Sequence, residues 1–245
     1  RDRNNALRKA DQVTTISPWH VEKLQAYNPN TELVYNGYDP ELFYPEQHRT
    51  SQFVITYTGR LISLATRDPR LLFEAVSRLD HEKLIDPDQF RIQWYVDAGS
   101  KAIIMQAATA YPVARYMDFF DYVPASEIPG VLNRSSILLQ LANTFASDGP
   151  KGFMTTKLFE SMAVGKPLLC VKSDESCLEA TIRNTRSGLA ARTAEEAFRF
   201  ILHHYQFWQD NGYTHINTDK EAVERFSRKK QAEQFMRIFT RLNSK

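Results

Sequence analysis

The chain has 245 residues, 42% hydrophobic and 24% charged, and a formal net charge of +2. That balance excludes a disordered or fibrous chain, and so small a charge gives no bulk attraction for nucleic acid. No apolar stretch approaches the roughly 20 residues of a membrane-spanning helix. Cys170 and Cys177 make neither a disulfide framework nor a metal-ligand spacing, which suits a reducing, cytoplasmic setting.

The first 48 residues form a block of their own. Val13-Thr14-Thr15-Ile16 predicts a strand, Ser17-Pro18 a cap for the helix after it, 32–35 a second strand and Asn36-Gly37 a turn. So few elements cannot enclose a core, so this block is expected to lean on something else. The polar stretch 44–51 reads as the join to the next unit.

From Gln52 onward, short β-rich runs alternate with amphipathic helical runs. A strand at 53–57 ends at Gly59, and Asp68-Pro69 opens a helix whose apolar stripe is Leu71, Leu72, Ala75, Val76 and Leu79. Strands follow at 90–96, 115–122, 136–141, 168–171 and 188–191, separated by helices at 101–110, 126–133, 156–164 and 175–184. Thr193-Ala194-Glu195-Glu196 is a capping box opening a helix to about Trp208. A single long helix is expected over 220–242, with Val223, Phe226, Phe235, Met236, Ile238, Phe239 and Leu242 as its apolar stripe. Such alternation predicts an α/β fold with a doubly wound parallel sheet.

In open parallel sheets, ligands sit beyond the carboxyl ends of the strands. Two places qualify. Gly59 lets a ligand approach the backbone, and Arg60 offers a planar fork to phosphate oxygens. The loop 147–157, with Gly149 and Gly152, runs into the helix start at Thr156, where free amides and the helix dipole favour an anion. Glu160 lies one turn further on the same face and can accept from two neighbouring hydroxyls.

Five segments occur in a matching order that resembles one family. They are Ala10-Asp11-Gln12-Val13-Thr14-Thr15-Ile16-Ser17, Asn36-Gly37-Tyr38-Asp39-Pro40-Glu41-Leu42-Phe43, Tyr57-Thr58-Gly59-Arg60-Leu61, Leu71-Leu72-Phe73-Glu74-Ala75, and Lys157-Leu158-Phe159-Glu160-Ser161-Met162-Ala163-Val164-Gly165-Lys166-Pro167. They resemble the signature of family 4 retaining glycosyltransferases of the GT-B fold. The likeness runs through nearly the whole chain.

The resemblance implies a Rossmann-like donor-binding domain over 49–219, preceded at 1–48 by the last strand and helix of an acceptor domain. It also implies a terminal helix, 220–245, crossing back toward that domain. Arg60 matches the family's first diphosphate-binding arginine, and Arg67 falls where a phosphate-binding lysine usually stands. These two would stabilise the departing nucleoside diphosphate without metal or other cofactor. Glu160 matches the second glutamate of the E-x7-E motif, which holds the ribose. Thr155, Thr156 and Lys157 match the turn that reaches the distal phosphate, and Tyr122 and Val123 the segment that packs on the base. The motif's first glutamate, which touches the donor sugar, is replaced by Gly152, with Asp148 the nearest substitute.

The expected function is hexosyl transfer with retention, from a nucleotide sugar to a glycan or lipid-linked acceptor, in polysaccharide biosynthesis. A nucleotide-sugar epimerase of the same fold and a non-catalytic nucleotide-binding module are the alternatives. The chain begins at Arg1 in mid-pattern, so sequence is expected upstream. The full-length enzyme is expected in the cytoplasm, with peripheral association at the inner membrane face. Pairing of truncated chains through their uncovered apolar stripes is also expected.

Overall fold

The computed structural model describes residues 2–143 and 152–244. In the first block, helix α1 (Asp2–Lys9) precedes strand β1 (Val13–Thr15), helix α2 (Pro18–Gln25) and strand β2 (Thr31–Leu33). β1 and β2 pair in parallel, Val13 opposite Thr31. Ser17 caps α2 as its sequence suggests, its Oγ accepting from the His20 amide at 3.3 Å. The sequence reading lacks α1, whose residues carry no apolar stripe. Tertiary contact holds it instead: Asn28 Nδ2 donates to the carbonyls of Leu7 and Ala10, at 2.8 and 2.7 Å.

Asn36-Gly37 does not turn. It continues extended into Tyr38, which bridges Ser227 in parallel: the Tyr38 amide donates to the Phe226 carbonyl (3.2 Å), and the Arg228 amide to the Tyr38 carbonyl (2.8 Å). These bonds take backbone groups that a continuous helix would use itself. The expected single helix is therefore two, α9 (Lys220–Glu224) and α10 (Arg228–Asn243), with Ser227 capping α10 through the Lys230 amide. Gln231 Nε2 donates to the Tyr35 carbonyl, tying α10 to the first block.

The main sheet consists of β3 (Phe53–Thr58), β4 (Phe90–Tyr95), β5 (Met117–Phe120), β6 (Ile137–Leu141), β7 (Leu168–Val171) and β8 (Gly188–Ala191). All neighbours pair in parallel, in the order β5-β4-β3-β6-β7-β8. Helices α3 (Arg70–His81), α4 (Ala98–Ala108) and α8 (Ala194–Asn211) close one face over Phe53, Ile55, Phe90 and Trp94. On the other face, α5 (Ile128–Asn133), α6 (Thr156–Ala163), α7 (Cys177–Asn184) and α9 cover Leu138, Leu168 and Cys170. Covering both faces explains why β3 and β7 are near-continuous apolar runs. The capping box opening α8 forms as read, with Thr193 and Glu196 satisfying each other's amides. Asp68 acts from one residue before the cap of α3, accepting from the Arg70 amide and guanidinium.

The strand order reverses between β3 and β6, so the connections leaving them part in opposite directions. The resulting crevice at the carboxyl ends is where doubly wound sheets bind ligands.

Candidate functional site

At that crevice, β3 runs into Gly59 and β6 into Asn143, while α6 starts at Thr156. Leu158, Phe159 and Met162 bury one face of α6 against the sheet, which turns Lys157 and Glu160 outward, half-buried. A recess of about 40 Å³ lies between Tyr57, Arg67, Asn143, Phe153, Thr155 and Lys157. Whole ligand pockets run from roughly 300 Å³ upward, so this is a floor for part of a ligand.

Among the described residues, the recess lining carries two cations, Arg67 and Lys157, and no carboxylate. Arg67 is fixed by neutral acceptors: its Nε donates to Asn143 Oδ1 (2.8 Å) and its Nη1 to the Arg60 carbonyl. Burial holds the Lys157 ammonium below its usual pKa, and the Arg67 charge depresses it further while Glu160 raises it. Burial raises the Tyr57 phenol, opposed by Arg67. Gly59 has φ +149, and a side chain there would land on the Lys157 ammonium, so only glycine lets that amine reach the β3 loop.

Arg60 stands apart from Arg67. Its side chain is 72% exposed and its Nε lies 3.4 Å from Asp97 Oδ2, which also accepts from the Tyr122 hydroxyl at 3.0 Å. Asp97 caps α4 through the Ser100 amide (2.7 Å), and that bond leads the influences holding its carboxyl below the usual range. Ser100 Oγ in turn accepts from the Leu61 amide (2.9 Å), so the α4 cap fixes the loop after Gly59. Arg60, Asp97 and Tyr122 form a rim beside the recess.

Thr156 lines a separate cavity of about 250 Å³, shared with Thr15, Tyr35, Asn36, Arg228 and Gln231. Glu160 lines neither hollow, although its charged neighbours Arg228 and Lys157 line one each. Burial raises its pKa, while Arg228 on one side and Lys157 on the other pull it down. Gly152 is buried at φ +65, where an added Cβ would lie 2.8 Å from Cys177 Sγ and 3.7 Å from Pro18 Cδ. A side chain there would force Cys177 aside, and Gly152 and Val123 line neither hollow. Asp148 and Gly149 lie outside the described residues.

Of the residues singled out from sequence, Gly59, Arg67, Thr155 and Lys157 converge on the recess, and Arg60 joins Tyr122 on the rim. The sequence reading missed Asn143, Asp97 and Arg228. Asp97 carried a local signal, an aspartate closing a strand three residues before Ser100. Asn143 and Arg228 reach the site only through the tertiary fold.

No family model matches the chain, and no curated protein does. Among solved structures it is similar to sucrose-phosphate synthase from Thermosynechococcus elongatus, with 16% identity, 99% of this chain and 61% of that one covered, and a TM-score of 0.65. It is also similar to HepE from Anabaena in complex with UDP-glucose, with 17% identity, 97% and 65% coverage and a TM-score of 0.69. A glycosyltransferase from Rickettsia africae gives 15% identity, 98% and 66% coverage and a TM-score of 0.67. These neighbours are glycosyltransferases of GT-B type, and this chain has their Rossmann-like α/β architecture. It spans between 61% and 66% of their lengths.

Proposed function

We propose that this chain is the donor-binding part of a retaining glycosyltransferase of the family 4 kind, taking a nucleoside diphosphate sugar. One observation carries the reading: Arg67 and Lys157 share a recess whose described lining holds no carboxylate, at the sheet's switch point and beside a glycine that admits close approach. Two like charges held together in a half-buried site are unfavourable until an anion joins them. A diphosphate has the charge and the size of group for that floor. The neighbour solved with UDP-glucose supports a nucleotide sugar as the donor.

On this reading the diphosphate rests on Arg67, Lys157 and the first-turn amides of α6, with Thr155 and Thr156 bracketing it. Glu160 takes the ribose hydroxyls, and Tyr122 and Val123 face the base. As the glycosyl bond breaks, negative charge grows on the departing diphosphate, and fixed cations stabilise it more than the bound donor. Arg60 adds a third cation once phosphate competes for it with Asp97, a weak and exposed partner. The scheme needs no metal. Residues 1–48 and helix α10 would belong with an acceptor-binding domain, which holds the glycan or lipid-linked acceptor, while α9 stays on the main sheet.

The test is calorimetric titration with uridine, guanosine and adenosine diphosphates and the matching nucleosides. One diphosphate should bind well above its nucleoside, and Arg67→Ala should weaken it by about 1.5–3 kcal/mol, the worth of a charged hydrogen bond. Equal binding of nucleoside and diphosphate would refute the assignment. Sugar transfer should require a protein that includes the acceptor side; transfer at full rate by these 245 residues would contradict the division of labour.

A further inference from the structure

At the opposite edge of the main sheet, where the strands begin, lies a cavity of about 240 Å³. Its walls are the strap at Pro45, Glu46 and Gln47, the turn Gly165-Lys166 leading into β7, and Thr214-His215. Lys166 is 3% exposed, yet among the described residues its ammonium makes no hydrogen bond and no ion pair. The backbone amides of Gln47, Lys166 and His215 also donate to no described residue. The carboxylate on this wall, Glu46, is engaged by His48 Nε2 at 2.9 Å. Thr214 Oγ1 is spent on the Ser136 carbonyl at 2.6 Å, which holds the wall in place.

An ammonium on a side chain this nearly buried, with only slight solvent contact and no partner, is poorly hydrated, and the usual remedies are a counter-charge or loss of the proton. Here the cavity supplies room for the counter-charge and several uncommitted donors around it. We infer that this cavity is a second anion site, distinct from the crevice, in which Lys166, His215 and the free amides hold a compact oxyanion of phosphate size. Burial lowers the Lys166 pKa, so an entering anion is what would stabilise its charged form.

The probe is inorganic phosphate, titrated calorimetrically at constant ionic strength into a Lys157→Ala/Arg67→Ala chain, in which the crevice is disabled. Saturable binding should persist there and fall about tenfold or more on adding Lys166→Met, with a smaller loss for His215→Gln. Glycerol phosphate binding as tightly as phosphate would make the natural source a phosphate ester, and weaker binding would make it the free ion. Acetate should bind less tightly than either, having one charge and two oxygens. A crystal of the wild-type chain soaked in selenate gives a reading independent of the variants' folding, with an anomalous peak expected within hydrogen-bond distance of Lys166 Nζ. Absence of both the peak and the saturable binding, or binding indifferent to Lys166→Met, would mean that water fills the cavity and would overturn the inference. Failure of diphosphate binding at the crevice would leave this outcome untouched.

Discussion

Lys157 and Arg67 oppose each other in the recess, since burial and the neighbouring guanidinium both disfavour the ammonium. Removing the amine should therefore relieve the free protein while harming the liganded one. Lys157→Met is expected to leave the melting temperature unchanged or raised, and to weaken nucleoside diphosphate binding about 10–100-fold. A variant that melts early yet binds normally would make the lysine structural. Glu160 offers a complementary test of the proposed ribose contact. In Glu160→Ala, the preference for ribonucleotide over 2′-deoxyribonucleotide should shrink, and an unchanged preference would remove Glu160 from the ribose. Gly152 leaves no room for a larger side chain without displacing Cys177, and its backbone is left-handed there. Gly152→Ala should cost about 1–3 kcal/mol in denaturant unfolding, and no loss would show that Cys177 yields.

Helix α8 carries a pH response. His204 is buried, and burial first, then the charges of His203 and His215, depress its pKa from 6.5 to about 3. Unfolded, it takes a proton near its ordinary pKa; folded, it does so only near 3. Between those values the unfolded chain binds more protons, so the stability this neutral histidine contributes is full above 6.5 and lost as pH falls toward 3. The slope approaches about 1.4 kcal/mol per pH unit. Denaturant unfolding across that window should lose much of its slope in His204→Phe, and an unaltered slope would place the acid sensitivity elsewhere. The C-terminal helices show where pattern reading stops. The apolar stripe of 220–242 runs through 225–227 with helical spacing, so nothing local forbids one helix. The break comes from Tyr38, nearly two hundred residues away in sequence, whose backbone claims Phe226 and Arg228. Ser227 then supplies the cap, and Ser227→Ala should cost about 1 kcal/mol in thermal or denaturant unfolding. A negligible effect would mean that the Tyr38 bridge alone sets the break.

At the scale of the molecule, the alternation of strands and helices was readable because each element buries a face with its own period, and β3, α3 and the α8 capping box lie where the residues put them. Strand order was not readable, because it depends on which side each crossover passes. With it came the switch point between β3 and β6, and so the meeting of Arg67 from one loop with Lys157 from another. The sequence marked both residues but paired Arg67 with Arg60, its neighbour along the chain, whereas the fold draws Arg60 to Asp97. The polar partners that set these side chains, Asn143 and Asp97, come from the ends of two further strands. The most direct test is a crystal structure of the chain soaked with the nucleoside diphosphate that binds it. The account predicts phosphate oxygens within hydrogen-bond distance of Arg67 and Lys157, against the first turn of α6, with Glu160 on the ribose. A nucleotide bound elsewhere, or one whose phosphates turn away from that recess, would contradict it.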